Sequence, residues 1–150
     1  NTLKKNVSEN IANPIMICEL FGEYFKSKKK SGNVILISSI QGVMAPKFKH
    51  YEGLKMFSPI EYTAIKFSIV GIVKYFAKFY GKYKINYNCI SPGGILKNQS
   101  KKFLNKYKNS CQTKGMLNSD DLIGALEFLT NEKSSMVRGQ NIIVDDGWTL

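Results

Sequence analysis

The chain has 150 residues, 43% hydrophobic and 22% charged, a composition that fits one folded domain with its own core and excludes a disordered polymer. No apolar run approaches the roughly 18 residues of a membrane span, and the N-terminus carries no signal-peptide pattern. The formal charge of +11 comes from lysines scattered along the chain, which points to a solvated basic surface, with attraction for an anionic substrate as the alternative and a nucleic-acid groove as a distant third.

Taken in chain order, Thr2 to Lys26 predicts a helix, because Ile11, Ile15, Cys18, Leu20, Phe21 and Phe25 recur at helical intervals, with a bend at Pro14. Asn1 stands where a methionine would open a complete chain, so the sequence reads as part of a longer protein. Lys28 to Gly32 is a polar turn. Asn33 to Ser38 is a short, β-branched apolar run, as expected of a parallel strand covered on both faces. Residues 40–57 form a long loop that holds Pro46, His50, Tyr51 and Gly53.

The main helix runs from Pro59 to Tyr80, with Ser58 as N-cap, Glu61 closing a capping box and Gly81 as the stop. Its apolar residues spread over most of the circumference, which predicts a sheet on one side and a partner subunit on another. Lys84 to Ile90 is a second strand. Residues 99–112 form a short, mobile basic helix near the mouth of a site, Ser119 caps a helix of Asp120 to Thr130, and Asn141 to Asp145 is a third strand. Alternating helices and strands predict an α/β fold with a parallel sheet and right-handed crossovers.

Tyr62 and Lys66 stand four apart and so share one face of the main helix. An ammonium beside a phenol favours the phenolate, which is one way to make a tyrosine a general acid/base near neutral pH. The single histidine, His50, excludes a histidine triad or a multi-histidine metal site. Cys18, Cys89 and Cys111 are odd in number and widely spaced, so they read as reduced thiols of a cytoplasmic protein, and no metal site is expected.

Five features occur in one order: Asn10 in the first helix, Ile37-Ser38-Ser39 at a strand end, Tyr62-x-x-x-Lys66, Asn88-Cys-Ile-Ser-Pro92-Gly-Gly-Ile95, and Gly139-Gln-Asn-Ile-Ile-Val-Asp-Asp-Gly147. Together they resemble the short-chain dehydrogenase/reductase family along essentially the whole chain. The resemblance implies the C-terminal, catalytic half of a Rossmann-type doubly wound parallel sheet. The N-terminal half with its glycine-rich turn is not represented, since no G-x-x-x-G-x-G occurs. It also implies NAD or NADP as cofactor, with the residue that separates the two outside this sequence.

Site roles follow from the same resemblance. Tyr62 would be the general acid/base, and Lys66 would lower its pKa and hold the nicotinamide ribose. Ser39 would hydrogen-bond the reacting oxygen, and Asn10 would order a helix kink and a water in the proton relay. Pro92, Gly93, Gly94 and Ile95 would lie against the nicotinamide. Twenty-three positions separate Ser39 from Tyr62, more than in most of the family, and Lys97 stands where a threonine is common. The loop sequence Met44 to Gly53 looks like that of oxidoreductases of flagellin and surface-glycan modification. That implies a small-molecule substrate, an anionic sugar or nucleotide-sugar. The long apolar helices point to assembly as a homodimer or homotetramer, and the scattered lysines and the lack of a long apolar run point to no nucleic acid and no membrane as partner. The rival expectation is a truncated, non-catalytic fragment that oligomerises and exposes an unpaired strand edge.

Overall fold

The computed structural model describes residues 2–150. Helix α1 (Thr2–Val7) runs through a π-turn (Ser8–Ala12) into α2 (Asn13–Ser27). The predicted bend at Pro14 takes this form for a physical reason. Proline has no N–H for the carbonyl four residues back, here that of Asn10, and its ring would collide with that carbonyl in a regular helix. Widening the turn relieves the collision.

Strand β1 (Gly32–Ile37) leads to two short 3-10 turns, Ile40–Gly42 and Phe48–His50, within the predicted loop. Helix α3 (Ile60–Tyr80) follows, then β2 (Ile85–Pro92), α4 (Lys101–Lys108), α5 (Ile123–Thr130) and β3 (Asn141–Val144). The three strands are parallel in the order β1-β2-β3, with Gly32 opposite Ile85 and Cys89 opposite Asn141. The central strand β2 is buried along its whole length.

Alternation along β2 separates the two faces. Ile85, Tyr87 and Cys89 join Ile69, Val73, Phe76 and Tyr80 of α3 and Cys18 of α2 in the main core. On the other face, Asn86 and Asn88 donate to the carbonyls of Ser135 and Val137, in the segment after α5. Tyr87 also reaches α2, donating to the Cys18 carbonyl at 2.6 Å. A second cluster of Ile40, Phe103, Tyr107 and Trp148 sits beyond the carboxyl ends of the strands.

Two local expectations are corrected, at the caps before α3 and α5. Ser58 does not cap α3: Pro59 is the extended N-cap residue and no side chain caps it, because the Ser58 hydroxyl donates to Gln41 Oε1. The α-helix does end at Tyr80 with Gly81 as its C-cap, but Gly81 stays right-handed and opens a 3-10 turn, and the chain reverses at Lys84 with φ 60°. The cap before α5 is Asn118, which forms a capping box with Asp121, and the first turn, Ser119–Leu122, is 3-10.

Candidate active site

A cleft of about 380 Å³ opens at the carboxyl ends of β1 and β2, where parallel α/β sheets bind ligands. Ser39, Tyr62, Lys66 and the turn Pro92 to Ile95 all line it. Three sequence segments thus converge on one concavity.

The docking of α3 onto the end of β1 brings them together. Ser38, buried, donates from Oγ to the main-chain carbonyl of Lys66 at 2.8 Å. A side chain at Gly42 would place its Cβ 2.6 Å from that carbonyl and 2.4 Å from Ser38 Oγ, so the close approach needs glycine. The Lys66 ammonium then reaches back to the Ile37 carbonyl at 3.2 Å and stands 5.7 Å from the centre of the Tyr62 ring. That distance is within cation–π range. Burial of Lys66 lowers its pKa.

Ser39 caps the turn Ile40–Gly42, its Oγ accepting from the Gln41 N–H at 3.2 Å. The hydroxyl proton is thereby left for another acceptor. Tyr62 sits one turn into α3 and is 39% exposed, so its hydroxyl side can be approached from the cleft.

The glycine turn is shaped by Tyr107 of α4, whose hydroxyl accepts from the Gly94 N–H at 2.6 Å. A Cβ on Gly94 would meet Met116 at 2.4 Å and the Tyr107 ring at 3.2 Å. The Ile95 carbonyl accepts from Gln99 Nε2 at 3.0 Å, and among the described residues its N–H has no partner. A side-chain-free turn with an available donor suits an amide-bearing planar group.

Asn10 stands apart. It is exposed, its side chain donates to the Asn6 carbonyl at 2.9 Å, and it does not line the cleft. Its carbonyl, deprived of an α-helical donor by Pro14, belongs to the π-turn.

The far wall is aromatic. His50 is 2% exposed, hydrogen-bonds Ser110 Oγ through Nε2 at 2.8 Å, and lies 5.7 Å from the Trp148 ring and 5.8 Å from Tyr107. Burial, and then Lys47, Lys49 and Lys106, depress its pKa. The long loop is fastened down by lysines. Lys47 donates to the Trp148 carbonyl at 2.5 Å, Lys102 to that of Gly53, and Lys106 to those of Lys49 and Glu52. These ammonium groups hold backbone rather than standing free for an anion. The helix expected to be mobile is anchored by buried Phe103 and Tyr107. The roles of Gln41 and Ser38 and the packing of His50 against Tyr107 and Trp148 are features of the site that sequence reasoning missed. Only the aromatic content of the last offered a signal.

Comparison with known proteins agrees with this fold. A family model described as enoyl-(acyl carrier protein) reductase matches residues 2–149. Over 136 residues, 91% of this chain and 53% of the relative, the sequence is 44% identical to post-translational flagellin modification protein A of Campylobacter coli. A 7alpha-hydroxysteroid dehydrogenase of Bacteroides fragilis is 28% identical over 129 residues, 83% of this chain and 46% of that one. The structure of a short chain dehydrogenase of Leptospira borgpetersenii with bound NAD+ superposes with a TM-score of 0.92 at 34% identity, covering 99% of this chain and 56% of that chain. The chain spans about half the length of the relatives it matches.

Proposed function

The chain belongs to the short-chain dehydrogenase/reductase family, and on that premise we propose that the full-length protein is an NAD- or NADP-dependent oxidoreductase acting on a hydroxyl or carbonyl of a sugar-like substrate. The observation that carries this is the convergence of Ser39, Tyr62, Lys66 and the Pro92 to Ile95 turn on one cleft. Tyr62 exchanges a proton with the reacting oxygen as general acid/base. Ser39 donates its free hydroxyl proton to the same oxygen and stabilises the charge that develops there. Lys66, fixed at its main chain and its ammonium, holds position beside the phenol.

Pro92, Gly93, Gly94 and Ile95 would hold the nicotinamide end of the cofactor, with Lys66 and Tyr62 on its ribose. The bound nicotinamide supplies or accepts hydride. Asn10 would act at the proton relay through the main chain of its π-turn.

The 44% identical relative, named for flagellin modification, supports a sugar-like substrate on a surface-glycan route. An anionic sugar or nucleotide-sugar would draw on the overall charge of +11, since the lid lysines are engaged with carbonyls. Assembly as a homodimer or homotetramer would cover the apolar outer faces of α2 and α3, where Leu20, Phe21, Tyr75 and Phe79 are exposed. No described helix is long and apolar enough to cross a membrane. Three free cysteines support a cytoplasmic location.

One observation favours a second reading, a non-catalytic oligomerising fragment. Among the described residues β1 has a partner on one side only, beside an apolar groove of about 430 Å³ between Phe21, Phe25, Val34 and Leu36. Titration of the 150-residue chain with NADH and NADPH separates the two. Saturable micromolar binding removes the fragment reading.

A further inference from the structure

Gln41 lies between the two side chains that flank the reacting oxygen in the reaction proposed above. Its main-chain N–H donates to Ser39 Oγ. Its side chain reaches residues on either side of Tyr62 in sequence, Oε1 accepting from Ser58 Oγ just before α3 at 2.7 Å and from Thr63 Oγ1 in its first turn at 2.9 Å. Two donors fill both lone pairs of that oxygen, so it has no capacity left to accept from a ligand.

Oε1 is the end of the amide held by Ser58 and Thr63, so Nε2 is turned away from them. Among the described residues Nε2 has no partner, and Gln41 lines the cleft with Ser39 and Tyr62.

We propose that Gln41 is a specificity-determining residue, whose side-chain N–H groups bind an oxygen acceptor that the substrate carries close to its reacting carbon. The inference rests on the oxidoreductase reading and narrows it to polyol- or sugar-like substrates over simple alcohols. A pinned amide is a stronger selector than a free one, because an analogue without the second oxygen leaves its donors desolvated and unpaired.

The test uses the full-length protein, ¹⁵N-labelled, with the Gln41 side-chain amide pair assigned from its loss in Gln41→Leu. D-glucitol and 1-hexanol are the probes. The amide pair is expected to shift saturably with glucitol and not with hexanol. Gln41→Leu is expected to weaken glucitol binding about tenfold while hexanol binding stays within about twofold. Gln41→Glu keeps an oxygen for Ser58 and Thr63 but has no N–H to offer, and it should show the same loss in a fully supported fold. Glucitol that shifts other cleft signals but not this pair, or wild-type glucitol affinity in both variants, overturns the inference. Turnover that depends on Tyr62 while Gln41→Leu keeps a glucitol preference sinks this inference alone. Turnover indifferent to Tyr62→Phe sinks the oxidoreductase reading first.

Discussion

Ser38 Oγ donates to the main-chain carbonyl of Lys66 across 2.8 Å, tying the end of β1 to the middle of α3. The Lys66 ammonium returns to the carbonyl of Ile37, so one residue is fastened to the strand end at both its backbone and its tip. The spacing between Tyr62 and the Ser39 turn depends on this double attachment.

Gly42 sits where that attachment closes. Its replacement by alanine puts a methyl 2.6 Å from the Lys66 carbonyl, a backbone atom with no freedom to swing aside. Gly42→Ala is expected to cost about 1–3 kcal/mol in urea unfolding, as overpacking does, and to lower turnover with it. Ser38→Ala, which removes the hydrogen bond without adding bulk, should cost about 1 kcal/mol.

Asn118 rather than Ser119 caps the turn before α5. Asn118→Ala is expected to destabilise by about 1 kcal/mol, and Ser119→Ala by a few tenths at most. Thermal unfolding of the two variants side by side checks the assignment.

His50 gives the fold an acid-sensitive point. Its pKa in the folded chain lies below the ordinary 6.5, chiefly through burial and then through Lys47, Lys49 and Lys106. The unfolded chain therefore binds the proton more readily, so stability falls as pH drops below about 6.5 and levels off below the folded value. Chemical denaturation from pH 7.5 to 5 should show this loss, and His50→Gln should flatten that part of the profile.

The site was more legible in the sequence than the caps around it, and the reason is physical. Tyr62 and Lys66 are four apart on a helix, so local geometry alone puts them on one face. Strands such as Asn33 to Ser38 announce themselves by continuous apolar residues. Caps are different, because a serine hydroxyl near a helix start has several acceptors to choose from. Ser58 turns to Gln41, a partner 17 positions away that no local pattern reveals.

The same limit explains the loop. Lys47 of the loop and Lys102 and Lys106 of the basic helix look like solvated charges in sequence, yet they cross to carbonyls of distant segments. His50 looks like a surface residue there and is buried against Tyr107 and Trp148, which lie 57 and 98 positions further on. Asn10 was legible as a residue, but its side chain stays in its own helix, and only Pro14 four residues later shows that its carbonyl matters.

Tyr62→Phe in the full-length protein tests the central claim most directly, since it removes one hydroxyl and keeps the ring beside Lys66. With NAD+ or NADP+ and a polyol such as glucitol, kcat is expected to fall by at least about a hundredfold. The melting temperature should stay within about a degree, because the ring is partly exposed. Wild-type turnover in that variant would contradict the account.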